Sequence, residues 1–376
     1  MRCLPFLMSA AVVIAAAGCS RGNDTDGADI FSDTIYAPER AQGFCILGAP
    51  GRNSVVIESL NPWQGADSTR TRLLIARDGE EVPRGFGGKV LVCDRVPRVI
   101  AMSSTHVAMM DALGRTDALA GVSGKDFIST RLPGGVADVG YDGSINYEAL
   151  VGAAPDLVLL YGIGAPSAME GKLDELGIPY MYVGDYLEES PTGKAEWLVA
   201  LGEVAGMRED AERQFRSIAG RYDSLRSMVD SVGARPTVML NTPYADAWFM
   251  PSASNYMVRL ISDAGGAYVM PELKGNSSTP IDMEQAYVLT HDADFWLNPG
   301  QATDMAGLLD QCPRFADTKP VREGQVYNNN LRLTPGGGND FYESAIVHPD
   351  LVLADLISIL HPEVLQAPLS YYRQLK

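Results

Sequence analysis

The stretch that most constrains this chain runs from Asp138 to Gly162, DVGYDGSINYEALVGAAPDLVLLYG. Ser144 or Asn146 can cap a helix there, because a side-chain oxygen at that place accepts from the free N–H groups of the first turn. Pro155 stops the helix, since proline has no donor and biases the residue before it away from helical conformation. Leu157-Val158-Leu159-Leu160 is then a short apolar run of the kind a parallel sheet buries on both faces. Loop, short helix and buried strand make an α/β unit. Glu148 falls in the first helical turn, where a carboxylate complements the helix dipole by about 0.3–1 kcal/mol.

The unit has a loose echo. From Pro280 to Asn298, PIDMEQAYVLTHDADFWLN again offers a capping Asp282, an early Glu284, a helix, an acidic break and an apolar strand. Two similar α/β halves are expected, each showing one acidic residue at a helix start.

The rest of the chain from Arg98 extends this pattern. Val99–Met102 reads as a strand, Ser103–His106 leads into a helix ending near Gly114, and Leu119–Val122 is the next strand. A helix over 166–176 stopped by Gly177 precedes a strand over 178–183. Strands alternating with helices imply a parallel sheet wrapped by helices, and ligands in such folds sit beyond the carboxyl ends of the strands. That puts Ser104, His106, Tyr161 and Tyr186 on one rim of a cleft. Residues 192–233 read as one long helix with a bend available at Gly206, because Phe215, Ile218, Tyr222, Leu225 and Val229 form a continuous apolar stripe. A second α/β unit follows from 234 to 376. Its rim candidates are Tyr244, Trp248, Tyr256, Asn298, Asn329 and Arg332, an aromatic and amide set suited to a bulky, partly apolar organic ligand.

The N-terminal region is different in texture. Leu4 to Gly18 is an apolar run of about 15 residues, short of the roughly 20 a membrane span needs, and Ala16-Ala17-Gly18-Cys19 ends it. Small residues directly before a Cys resemble a bacterial lipobox. That resemblance implies a signal peptide over 1–19, lipidation of Cys19 and anchoring of an exported protein to the membrane on its periplasmic side; the alternative is an ordinary secretory signal with a chance Cys. Residues 20–35 are polar and Gly/Asp-rich, a flexible tether. From 36 to 95, short β-branched runs between turn signals such as Asp78-Gly79 predict a small β-rich extension leaning on the first half. Cys45, Cys93 and Cys312 remain after processing, an odd number, which excludes a full disulfide framework and leaves a Cys45–Cys93 pairing open. A formal net charge of −17 sets the chain against nucleic acid as a partner.

These features together resemble the class III substrate-binding proteins of ABC importers for ferric siderophores, haem and cobalamin. The best motif is INYEALVGAAPDLVL, and the resemblance covers Arg98 to the C-terminus. It implies two Rossmann-like lobes, 96–191 and 234–376, with parallel sheets joined by one long helix, a ligand cleft between them, and no catalytic role. It also implies that Glu148 and Glu284 dock onto arginines of a permease dimer, which works with its ATPase. The β-rich extension and the segment Gly184–Pro191, with the pattern YLEE…AEW, depart from the general family and resemble a Bacteroidetes-type branch.

Other classes find less support. There is no G-x-S-x-G elbow, and Ser103, Ser104 and His106 are sequence neighbours without a positioned carboxylate, so a hydrolase is not expected. Four His scattered at 106, 291, 348 and 361 are poor material for a three-His metal site, which leaves a bare metal-ion binding protein as the lesser alternative, and no cofactor is expected. A binding module serving a signalling partner stays open. Within the import reading the ligand is an iron complex of siderophore or haem type, with a corrinoid as the alternative because an Asn-rich rim also suits corrinoid amides.

Overall fold

The computed structural model describes residues 30–93, 95–244, 247–275 and 277–376. The signal peptide, Cys19 and the first part of the tether lie outside the described residues. Among the described residues the chain builds three sheets of five strands, a two-stranded hairpin and a three-stranded sheet.

The extension is one sheet of β1 (Asp33–Tyr36), β2 (Phe44–Gly48), β3 (Val55–Leu60), β4 (Arg70–Ala76) and β5 (Lys89–Val92). The first four strands pair antiparallel and β5 runs parallel to β4. In β2 the residues alternate between buried and half-buried, as period-2 side chains on a one-sided sheet must. Its inner face carries Phe44, Ile46, Ile57, Leu73 and Ile75 into the same apolar core as the next sheet.

That next sheet begins at β6 (Val99–Ala101), followed by α1 (Ser104–Ala112), β7 (Leu119–Val122) and β8 (Ala137–Asp138). A tight hairpin of β9 (Gly140–Tyr141) and β10 (Ser144–Ile145) leads to α2 (Tyr147–Gly152), β11 (Leu157–Leu160), α3 (Glu170–Leu176) and β12 (Tyr180–Tyr182). The strands are all parallel in the order β12-β11-β6-β7-β8. Every residue of β6, β7, β11 and β12 is buried, which explains why these segments are unbroken apolar runs.

After α4 (Pro191–Val204) and α5 (Arg208–Met228) the second unit comprises β13 (Thr237–Leu240), the β14 (Pro243–Tyr244) and β15 (Ala247–Met250) hairpin, α6 (Tyr256–Asp263), β16 (Ala267–Tyr268), β17 (Thr279–Ile281), α7 (Met283–His291) and β18 (Phe295–Leu297). It ends with α8 (Met305–Gln311), α9 (Lys319–Arg322), β19 (Val326–Asn328), α10 (Pro349–Leu360) and β20 (Arg373–Gln374). The order β16-β13-β18-β19-β20 is parallel except for β20, which closes the edge antiparallel to β19. The two sheets share a four-strand arrangement, β7-β6-β11-β12 against β16-β13-β18-β19, in which the first strand of the lobe is central. They differ at the edge, where β8 extends the first sheet beyond β7 and β20 extends the second beyond β19.

The long helix read from the sequence is two helices. Gly206, at φ 69°, makes the turn between α4 and α5, a conformation glycine adopts without a Cβ penalty. A Cβ on Gly202 would come within 2.4 Å of that of Ala211, so glycine there lets the two helices touch just beyond the turn. The connecting element is α5, about 31 Å long at 1.5 Å per residue. Its stripe spans both cores, with Phe215 and Ala219 packed in the first and Tyr222 and Val229 in the second. One amphipathic helix thereby ties the two lobes. Cys45, Cys93 and Cys312 are free thiols.

Candidate functional site

The carboxyl ends of the two sheets face one another across a cleft of 890 Å3. From the first lobe come Met102, Ser103 and Ser104 after β6, Ser123 and Gly124 after β7, Phe127, Ile128, Tyr141 and Tyr161. Ser103 sits there because it caps α1, its hydroxyl accepting from Thr105 N at 3.3 Å. The second lobe supplies Gly300, Gln301, Asn330, Leu333, Asn339 and Tyr342. No lining residue carries a formal charge.

A glycine run crosses between the lobes. The turn at Gly336-Gly337-Gly338 lies against the backbone of Asp126 and Phe127, where a Cβ on Gly338 would stand 2.0 Å from the Phe127 carbonyl oxygen. Thr334 Oγ1 donates to the Asp126 carbonyl at 3.0 Å beside it. Next to this contact, Glu343 of the second lobe accepts from Ser129 N and Thr130 N of the first, each at 2.7 Å. Glu343 is buried, and burial pushes its carboxyl above the usual range while the two amides pull the other way. Tyr342 borders the cleft on one side and, on the other, a second chamber of 210 Å3 against α4 and α10. That chamber holds Thr105, Asp185, Tyr186, Lys194 and Tyr256 among its walls.

Of the rim residues read from the sequence, Ser104 and Tyr161 line the cleft, and Tyr186 and Tyr256 line the second chamber. Ser104 Oγ also donates to the Tyr342 carbonyl across the lobes, and the Tyr186 hydroxyl donates to the Gly162 carbonyl. Asn329 is buried behind the wall, with Nδ2 3.4 Å from the Tyr342 hydroxyl, so it positions rather than lines. Asn298 closes β18 at φ 57°, a left-handed conformation that asparagine tolerates better than most residues. Tyr244 stands at a hairpin tip, 79% exposed, and lines neither chamber.

Three expectations are corrected. Trp248 does not face a ligand: it is fully buried among Trp296 and Phe315, with Nε1 donating to the Leu240 carbonyl at 2.7 Å. Its place on β15 points it into the core, a face that an aromatic residue name cannot reveal. His106 is also fully buried, on the inward side of α1, with Nε2 3.9 Å from Asp185 Oδ1. Burial lowers its pKa to about 3, so the ring is neutral. Arg332 borders a separate groove and is already engaged, with Nη1 2.9 Å from Asp340, Nε donating to Ser370, and its guanidinium over the Tyr371 ring. It offers no spare charge to a ligand in the cleft.

Phe127, Tyr141, Gln301 and Tyr342 were not singled out from the sequence. The run of three glycines was the available signal, since such a run marks close backbone approach. Among the described residues no group of three or more His, Cys, Asp or Glu is placed to hold a metal ion.

Glu148 and Glu284 occupy matching places. Asn146 caps α2 by accepting from Ala149 N at 3.0 Å, and Asp282 caps α7 by accepting from Gln285 N at 2.8 Å. Each Glu is exposed in the first turn that follows.

The periplasmic binding protein model matches residues 99–330, which is more than half of the chain. The chain belongs to that family. Its two-lobed fold is that of the class III binding proteins. An uncharacterised lipoprotein of Methanocaldococcus jannaschii is 25% identical over 344 residues, covering 83% of this chain and 80% of its own length. Among solved structures, a periplasmic haem-binding protein from Pseudomonas aeruginosa superposes with a TM-score of 0.58 at 18% identity, over 74% of this chain and 98% of that one. The siderophore-binding protein FhuD of Vibrio cholerae, bound to Fe3+–Desferal, gives 0.52 at 14% identity, over 70% and 99%. These binding proteins share the fold of the family.

Proposed function

We propose that this periplasmic binding protein is a lipid-anchored receptor that captures an iron complex and delivers it to the permease dimer of an ABC transporter with its ATPase. The observation that carries the reading is the pairing of a large cleft at the carboxyl ends of two matching sheets with one exposed Glu at an equivalent helix start on each lobe. The haem and Fe3+–Desferal ligands in the names of fold neighbours support iron as the cargo. Lipobox-like residues before Cys19 and the lipoprotein name of the archaeal relative support the anchor.

The cleft wall narrows the cargo. A haem carries two carboxylates that would call for Arg or Lys, and no lining residue supplies one. An uncharged ferric chelate of siderophore type fits hydroxyl, amide and aromatic walls better. The same Gln301, Asn330 and Asn339 amides favour a corrinoid as the second reading.

The docking role is tested by charge reversal. Glu148→Lys with Glu284→Lys leaves ligand affinity and thermal stability nearly unchanged and abolishes uptake in cells, with a partial loss in each single variant. Exposed carboxylates facing arginines set orientation and on-rate more than fold stability. Normal transport by the double variant overturns the docking assignment. Lost ligand binding places the two residues in the cleft instead.

A further inference from the structure

The second chamber has the attributes of a binding site of its own. Its 210 Å3 is walled by Tyr256, Leu260, Phe341, Ile346 and Val352, and its polar end is formed by Lys194 and Asp185. Both charged residues are more than nine-tenths buried. Lys194 Nζ donates to the Asp185 main-chain carbonyl at 2.7 Å and stands 4.7 Å from the centre of the Tyr256 ring. An ammonium has three N–H bonds, and that carbonyl takes one. Asp185 Oδ1 lies 3.4 Å from Thr105 Oγ1, while Oδ2 has no hydrogen-bond partner.

A buried pair with a spare donor and a spare acceptor is costly until something completes it. A hydroxyl completes both at once, accepting from the ammonium and donating to the carboxylate. An amine would meet the repulsion of Lys194, and a carboxylate that of Asp185. Size points the same way, since an apolar cavity of about 150 Å3 takes up one benzene ring.

We propose that the second chamber binds one neutral, phenol-sized hydroxyl compound, with its hydroxyl between Lys194 and Asp185 and its ring against Tyr256 and Phe341. The site stands on its own walls and does not depend on which ligand fills the main cleft. The full chain, titrated with 4-fluorophenol, 4-fluoroanisole and 4-fluorotoluene under 19F NMR, tests it. The phenol binds saturably at one site and about tenfold or more tighter than either analogue, because both lose the donated hydrogen bond to a charged group. Val352→Phe fills the chamber and abolishes binding of all three. Lys194→Met brings the phenol down to the level of the toluene. The proposal is overturned if the phenol binds no tighter than the toluene in the wild-type chain, or if Val352→Phe leaves its binding intact. These two results decide the matter even if Lys194→Met fails to fold.

Discussion

Two seams run through this molecule, and they are built differently. Where the β-rich extension meets the first lobe, strands and helices share one apolar core, and two buried carboxylates clasp the entering chain. Glu196 accepts from the Tyr36 hydroxyl and from the amides of Glu39, Arg40 and Ala41, each at 2.7 Å. Glu188 accepts from the amides of Gln42 and Gly43 and from Trp197 Nε1. Where the two lobes meet, the contact is a glycine turn, hydrogen bonds made by Ser104, Thr334 and Glu343, the insertion of Ile346 and Val347 into the first lobe's core, and a pair of chambers. The first seam is a permanent, closed joint; the second combines its apolar and hydrogen-bonded contact with two chambers. The two adjoin, because the segment 185–197 contributes to both.

The largest expected effect breaks the permanent seam. Glu196→Ala removes the acceptor of four donors, one buried and three partly buried, and an unsatisfied buried donor costs about 1–3 kcal/mol before water recovers some of it. The variant loses about 3 kcal/mol or more in urea unfolding, and limited proteolysis then cuts between the extension and β6. A loss below about 1 kcal/mol contradicts the clasp.

A smaller effect is expected at the seam between lobes. Glu343→Ala frees the Ser129 and Thr130 amides and the Thr130 side chain, and costs about 1–2 kcal/mol. Hydrogen exchange quickens at those two amides while β2 and β3 keep their protection. Equal quickening in the extension means that the two seams open as one unit, and the contrast between them fails.

The same comparison accounts for what the sequence could and could not disclose. The α2 and α7 units were legible because caps, Glu positions and apolar strands are local signals. The pattern YLEE…AEW is legible in the sequence only as a departure from the general family, with no structural role attached. The structure supplies one, since Glu188, Glu196 and Trp197 are the residues that hold the extension. Their partners lie about 150 positions earlier in the chain, a pairing no local reading reaches. Trp248 and His106 failed for the opposite reason: their residue types suit a ligand, but the faces of β15 and α1 on which they sit turn inward. Lys194 was hidden as one polar residue within an otherwise helical stretch, and only the approach of α6 makes it the floor of a chamber.

The smallest expected effect is in pH dependence, at the point where the seams adjoin. His106, with its pKa lowered by burial to about 3, is neutral in the folded chain, while the unfolded chain takes up a proton below about pH 6.5. Its contribution to stability is complete above pH 6.5 and falls as pH drops toward 3, by at most about 1.4 kcal/mol per unit. Asp185, raised by burial to about 6, acts in the other direction: the folded chain favours its protonated form, so its contribution falls as pH rises from about 3.8 to 6. The two offset each other between pH 4 and 6. His106→Leu removes the first term, so its stability relative to the parent chain increases as pH is lowered from 6.5, as followed by urea unfolding at each pH. A pH-independent difference contradicts the buried neutral ring.

The most direct test of the central claim is native mass spectrometry, joined to visible absorption, of the protein purified from its own host. The account predicts one bound organic complex per chain containing iron, with a ferric charge-transfer band, released when the lobes open under denaturant. A bound cobalt corrinoid, or a chain that never retains or takes up any ferric complex, contradicts it.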